Sequence, residues 1–297
     1  MHFYEFFHVT VGIPKGTKMI VALHSAPKGF FKTDAPHSND EIVGFVQKAA
    51  SLGFKAVQIG PLIHYAPIKG KQLRTVLDSL NIERNVHVGG IFDAENFALT
   101  EEEYARVRKQ ICYGITLCNE ISSALVSVHP PFFATRNDLN KELLSKVQMR
   151  FLELLKKEVD FACRNGIKIA LESFCYPPFI FEGLHDFAQF VSKFPSENFG
   201  VLLDIGHVYQ IGISLSETVQ VLRHRLMDVH VHDATLKRDF RKATHLPIGK
   251  GTINFPDLIN SLKEANYDGW LTLEIRGSEK EIIKSKEYLE SLITKTP

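Results

Sequence analysis

Short apolar runs alternate along this chain with longer stretches in which apolar residues return every three or four positions. Short runs bounded by turn residues read as buried strands, and the periodic stretches as amphipathic helices. KMIVALH at 18–24 is the first regular strand, and 3–12, before Pro14-Lys15-Gly16, reads as an added strand or cap. Ser38-Asn39-Asp40-Glu41 has the form of a capping box and opens a helix to about Leu52, where Gly53 ends it. KAVQIG at 55–60 is a strand, and a helix near 70–80 leads to a strand at 82–88. Thr100 to Glu103 repeats the capping pattern and opens a helix to Glu120, followed by the strand SALVSVH at 123–129. Leu143, Val147, Phe151, Leu154, Leu155, Val159 and Ala162 share one helical face, which ends before Gly166. Strand 167–172, helix 183–193, strand 199–204, helix 216–224, strand 227–232, helix 255–265 and strand 270–274 complete the alternation. Ser278 to Glu281 opens the last helix. Eight strands, each followed by a helix, predict an α/β chain folded as a closed (β/α)8 TIM barrel with an extra N-terminal segment. No linker, low-complexity tract or internal repeat interrupts it, so 1–297 reads as one domain.

Several of these strands end on polar residues: His129, Glu172, Asp204, His230 with His232, and Glu274. In a parallel barrel the C-terminal strand ends converge on one mouth, where active sites are built. So many ionisable groups in one mouth are costly unless a cation joins them. Three carboxylates and an imidazole make an oxygen-rich site for one divalent metal ion, Mn²⁺, Mg²⁺ or Co²⁺, with Zn²⁺ also admitted. His232 shares the period-two face of His230 and reads as a supporting residue, and Asp233 could orient an imidazole. His24, His64 and His87, near early strand ends, could line the pocket but read rather as structural or exposed, and LKRDFRK at 236–242 reads as a solvated face.

Composition narrows the class only slightly. With 44% hydrophobic and 23% charged residues the chain is ordinary for a globular protein, and a formal net charge of +1 gives no general footprint for nucleic acid. No apolar run is long enough for a membrane helix, and MHFYEFFHVTVGIP has no basic region before its apolar residues, so no secretory signal is expected in it. Cys112, Cys118, Cys163 and Cys175 form no CxxC pair, as expected of reduced thiols in the cytoplasm.

The order LES, LLDIGH, HVHD, HLPIGKG, LTLE, over residues 38 to 292, resembles the xylose isomerase-like barrel superfamily of sugar isomerases and epimerases, inosose dehydratases and endonuclease IV-type apurinic endonucleases. That resemblance implies Glu172, Asp204, His230 and Glu274 as the ligands of one metal. It implies His207 as a substrate contact, with His129 and His245 beside it. It departs from the endonuclease pattern at Ala243, where that pattern has an aspartate that helps bind a third zinc. It departs from xylose isomerase itself at Phe174, where a lysine is expected.

What remains is a divalent-metal-dependent sugar or polyol isomerase or epimerase. Glu172 and Glu274 would be its catalytic pair, moving a proton α to a carbonyl through an enediolate. The runner-up is an endonuclease IV-type phosphodiesterase; a barrel that binds a metabolite without turnover fits the full carboxylate set less well. The expected partner is a small sugar or polyol, with neither membrane nor nucleic acid, and a homo-oligomer is left open.

Overall fold

A computed structural model describes residues 19–25, 38–60, 68–90, 92–133, 140–173, 179–236 and 243–295. The N-terminal segment 3–12, His64 and 237–242 lie outside the described residues. The elements run β1 (Ile20–His24), α1 (Asn39–Ser51), β2 (Ala56–Ile59), α2 (Gly70–Ser79), β3 (Glu83–Val88), α3 (Ala94–Leu99), α4 (Glu101–Ile121), β4 (Leu125–Val128), α5 (Lys141–Arg164), β5 (Lys168–Glu172), α6 (Leu184–Val191), β6 (Phe199–Asp204), α7 (Ile205–Gln210), α8 (Leu215–Leu222), β7 (Leu226–Val231), α9 (Phe255–Glu264), β8 (Trp270–Leu273) and α10 (Glu279–Thr294). The strands close in sequence order into one parallel barrel, with β8 against β1. This is the (β/α)8 architecture the alternation predicts. No helix among the described residues is long and apolar enough to cross a membrane.

Strand parity separates two interiors. Val21, Leu23, Val57, Ile59, Val86, Val88, Val126, Val128, Leu203, Val229 and Leu273 face outward and join the apolar sides of the helices in one continuous core. Each such side chain removed from water contributes roughly 1.5–3 kcal/mol. Among the described residues the inward side chains form two small apolar clusters, Ala22, Ala56 and Trp270, and Leu125, Ala170 and Leu202. The rest of the barrel lumen is polar, and it carries the site.

Local signals fix where the helices start. Ser38, Thr100, Asn140, Ser214 and Asn254 each accept the main-chain N–H three residues on. Ser278 and Glu281 form the reciprocal box. At Thr100 the box is half-built, because the Glu103 carboxylate turns to Arg106 and to the N–H of Asp93. Two short helices go beyond the sequence pattern: α3, capped by Asp93, and the single-turn α7, capped by Asp204. Neither is long enough to show a helical period.

One irregularity matters for function. Between β6 and β7 the register slips: Val201 pairs with Leu226, but Leu202 pairs with Asp228 and Asp204 with His230. Were the Val201–Leu226 register to continue without the slip, Asp204 would face Val229, and His230 would point into the helical layer, because a one-residue slip exchanges the faces of a strand. Gly200 makes the slip feasible: a Cβ there would lie 2.4 Å from Arg225 O and 2.7 Å from Met227 Cγ.

Candidate metal centre

Cross-strand partners in a parallel ladder share a face, so the pairing itself shows which residues point inward. His24 pairs with Gln58, Gln58 with Asn85, His87 with Ser127, Ser127 with Ala170, Glu172 with Leu202, Asp204 with His230 and His230 with Thr272. One step of two residues past the strand ends brings His129, His232 and Glu274 to the same side. Among the described residues seven histidines meet here: His24, His87, His129, His207, His230, His232 and His245.

The first group of ligating atoms comes from β6, β7 and the end of β8. Asp204, His230 and Glu274 each offer an atom within 4.8 Å of the others. His230 Nδ1 is 2.9 Å from Glu274 Oε2 and 3.9 Å from Asp204 Oδ2. The far side of the His230 ring is held from below. Its Nε2 lies 2.7 Å from Gln58 Oε1, Gln58 Nε2 donates to Asp228 Oδ2 at 2.8 Å, and Thr272 Oγ1 donates to Asp228 Oδ1 at 2.8 Å. Gln58 Oε1 can only accept, so Nε2 carries hydrogen and Nδ1 faces the carboxylates. Burial works against charge on His230, but Glu274, Glu172 and Asp228 overcome it and raise the imidazole to about 10. Burial likewise opposes charge on Glu274, yet His245, His230 and His24 hold it well below the usual carboxylate range. Of those three His230 is the effective partner, since burial lowers His24 to about 4 and His245 to about 3, leaving both neutral.

A second group is built on β3, β4 and β5. His87, His129 and Glu172 also meet within 4.8 Å. His129 Nε2 is 2.9 Å and His87 Nε2 3.7 Å from Glu172 Oε2, and the two ring nitrogens are 3.1 Å apart. His87 Nδ1 lies 2.8 Å from Ser127 Oγ. Burial holds His87 well below its ordinary value, whereas Glu172 raises His129 against its own burial. Of the places open to His24 and His87, the exposed one is corrected: both are buried in the mouth and edge-on to one another at 5.3 Å. Their position near strand ends admitted a place in the mouth, but their polar parity appears only once the barrel closes.

Glu172 also meets Asp204 and His207 within 4.8 Å. The four carboxylate and imidazole residues singled out in the sequence are thus contiguous but not equivalent. Asp204, His230 and Glu274 form one group, and Glu172 joins it through Asp204 and His207. The DIGH spelling explains the last contact. Asp204 caps α7 by accepting the His207 N–H at 2.8 Å, and that turn folds the His207 ring back to 3.6 Å from Asp204 Oδ2.

The donor set fits a cation. Glu172 Oε2 and His230 Nδ1 are buried without an aligned hydrogen bond, although each has a neighbour at 2.9 Å. Buried carboxylate and imidazole groups that converge on one point are what a metal ion satisfies, once it displaces the proton His230 holds without it. The buried His, Asp and Glu clusters are candidate metal-binding sites. Glu274 and His129 keep 20% and 13% of their side chains exposed.

The seventh loop closes over this centre. His245 is buried at φ 53°, with Nδ1 3.0 Å from the Glu274 carbonyl oxygen and 3.8 Å from its Oε2. His207, His232 and His245 cluster as well, but both nitrogens of His232 are already engaged, by Asp204 and by the His245 N–H. Asp233 does not orient an imidazole, as its position after His232 suggested. It accepts main-chain N–H groups from Ala234, Gly249, Gly251 and Ile253, and so folds the PIGKG turn around one buried carboxylate. Ala243 is buried and offers only its carbonyl, to Thr235 N.

Residues 46–292 match the family described as xylose isomerase-like TIM barrel. The chain belongs to that family. "Uncharacterized protein MJ1311" of Methanocaldococcus jannaschii is 28% identical over 264 residues, covering 86% of this chain and 85% of its own length. A solved D-tagatose 3-epimerase-like protein superposes with a TM-score of 0.75 at 25% identity, covering 93% of this chain and 97% of its own. A D-allulose 3-epimerase from Methylomonas sp., solved with D-allulose, gives a TM-score of 0.74 at 15% identity over 93% and 97% and shares the fold.

Proposed function

We propose that this protein is a divalent-metal-dependent sugar or polyol isomerase or epimerase that moves a proton α to a carbonyl through an enediolate. The observation that carries the proposal is the pair Glu172 and Glu274, which end β5 and lie just past β8 on either side of Asp204 and His230. The likeness to a solved D-tagatose 3-epimerase-like protein supports the same reading. An ion held by Asp204, His230 and Glu274, with Glu172 beside them, would polarise a substrate carbonyl and stabilise the charge that develops on it. Glu172 and Glu274 then face the substrate from two strands: one takes the α-proton, the other returns it. His207, His129 and His245 hold substrate oxygens. His245, kept neutral by its burial, can donate from the ring nitrogen that does not face the Glu274 carbonyl. The whole chain acts as one domain, in the cytoplasm.

Incubation with ketoses, inososes and their phosphates in D₂O tests this. Loss of the α-proton signal is expected with at least one of them in the presence of Mn²⁺, and none after Glu172→Gln or Glu274→Gln. Exchange that survives both substitutions would refute the two-glutamate mechanism.

A second reading is favoured by one observation, the adjacent group His87, His129 and Glu172. Two ions sharing Glu172 would suit hydrolysis of a phosphodiester, as in the endonuclease IV-type relatives. Ala243 removes a ligand from any third position. Cleavage of DNA at abasic sites by the purified protein would establish this reading over the first.

A further inference from the structure

His232 stands between two segments that the sequence keeps apart, the DIGH turn after β6 and the HLPIGKG turn of the seventh loop. Its Nε2 is 3.0 Å from Asp204 Oδ1 and 3.1 Å from Oδ2. Its Nδ1 is 3.0 Å from the main-chain nitrogen of His245 and 3.4 Å from Thr244 Oγ1. A main-chain N–H can only donate, so Nδ1 supplies a lone pair and Nε2 carries the hydrogen that Asp204 accepts. The seventh loop therefore sets the tautomer of a ring that holds a carboxylate in the mouth. The ring also needs space: a Cβ at Gly206 would lie 1.8 Å from His232 Cε1. The glycine of DIGH and the second histidine of HVHD are two halves of one contact.

We propose that His232 is a positioning residue that couples the seventh loop to the metal centre through Asp204. This rests on the reading of Asp204 as a ligand. Asp204 Oδ1 accepts from His207 N, His232 Nε2 lies almost equally close to both carboxylate oxygens, and Oδ2 is turned toward His207 and His230. A loop displaced from His232 frees the ring, and the carboxylate loses the donor that fixes its plane. Ion binding and ordering of residues 243–251 strengthen one another, since a coupling between two sites is reciprocal.

The test uses metal-free protein and Mn²⁺ alone, with affinity measured by calorimetry and amide exchange followed across the seventh loop. His232→Leu should weaken Mn²⁺ binding about 10- to 100-fold, the usual effect of removing a partner that orients a ligand. His232→Gln, which keeps a donor toward Asp204, should recover most of it. Gly206→Ala should reproduce the loss with the imidazole still present, and the double variant Gly206→Ala/His232→Leu should be no worse than the weaker single one. Mn²⁺ should slow exchange of the His245 amide in the unaltered chain and in His232→Gln, but not in His232→Leu. Full Mn²⁺ affinity in a folded His232→Leu, with affinity lost in Asp204→Ala, would overturn the coupling alone. Full affinity in Asp204→Ala would overturn the ligand reading and the coupling with it.

Discussion

Two groups of ligating side chains share one barrel mouth, and they are made differently. Asp204, His230 and Glu274 bring two carboxylates to one imidazole, whereas His87, His129 and Glu172 bring two imidazoles to one carboxylate. Oxygen-rich sites suit Mg²⁺ and Mn²⁺, and imidazole-rich sites suit Zn²⁺. Their supports differ as well. His230 is held by the Gln58 amide reaching across the barrel from β2, itself anchored on the buried Asp228 carboxylate of β7, and His87 by a serine hydroxyl on the neighbouring strand β4. The more elaborate support lies under the carboxylate-rich group, the one proposed above to hold the ion.

The largest expected effect breaks that group outright. His230→Ala should lower Mn²⁺ affinity by more than about 100-fold, because loss of an orienting partner alone costs about 10- to 100-fold. His87→Ala should leave the tightly bound ion in place. Elemental analysis of both purified variants checks this, and ions lost in equal measure from the two would erase the distinction.

The next effect removes only the support. Gln58→Leu should cost about 10- to 100-fold in Mn²⁺ affinity with the ligands intact, while Ser127→Ala, its counterpart beneath His87, should change affinity little. Calorimetric titration of the two variants decides the matter.

Acidity gives a smaller and graded contrast. His230, raised to about 10 in the metal-free protein, holds a proton at neutral pH that an ion must displace. Apparent Mn²⁺ affinity should therefore rise by up to about tenfold per pH unit between about pH 6.5 and 8.5. His129→Gln should leave that slope in place. The same raised value stabilises the metal-free fold fully below about pH 6.5, and this is lost as pH rises through about 10. An affinity flat across the window would remove the proton from Nδ1.

The sequence foretold the carboxylate-rich group better than its neighbour, for physical reasons. Asp204, His230 and Glu274 follow apolar runs whose abrupt polar ends are visible in the chain itself. His87 lies in ERNVHV, which alternates too weakly to show a buried face, and its significance comes from Ser127 and Glu172 on later strands. Strand positions were legible to within a residue or two because each is bounded by turn or cap residues. The helices α3 and α7 were not, since six residues cannot display a helical period. Asp233 was misjudged because its four main-chain partners, from Ala234 to Ile253, are gathered only when the seventh loop folds back.

The slip between β6 and β7 gives the site a parity that substitution tables do not see. Asp204 and His230 meet only because one residue more lies on β7 than its partner strand can pair, and Gly200 leaves room for it. Carrying the Val201–Leu226 register straight on would keep every motif spelled as before and still turn His230 away from Asp204. For this barrel, counting residues along one strand is as much a part of the chemistry as the identity of the ligands.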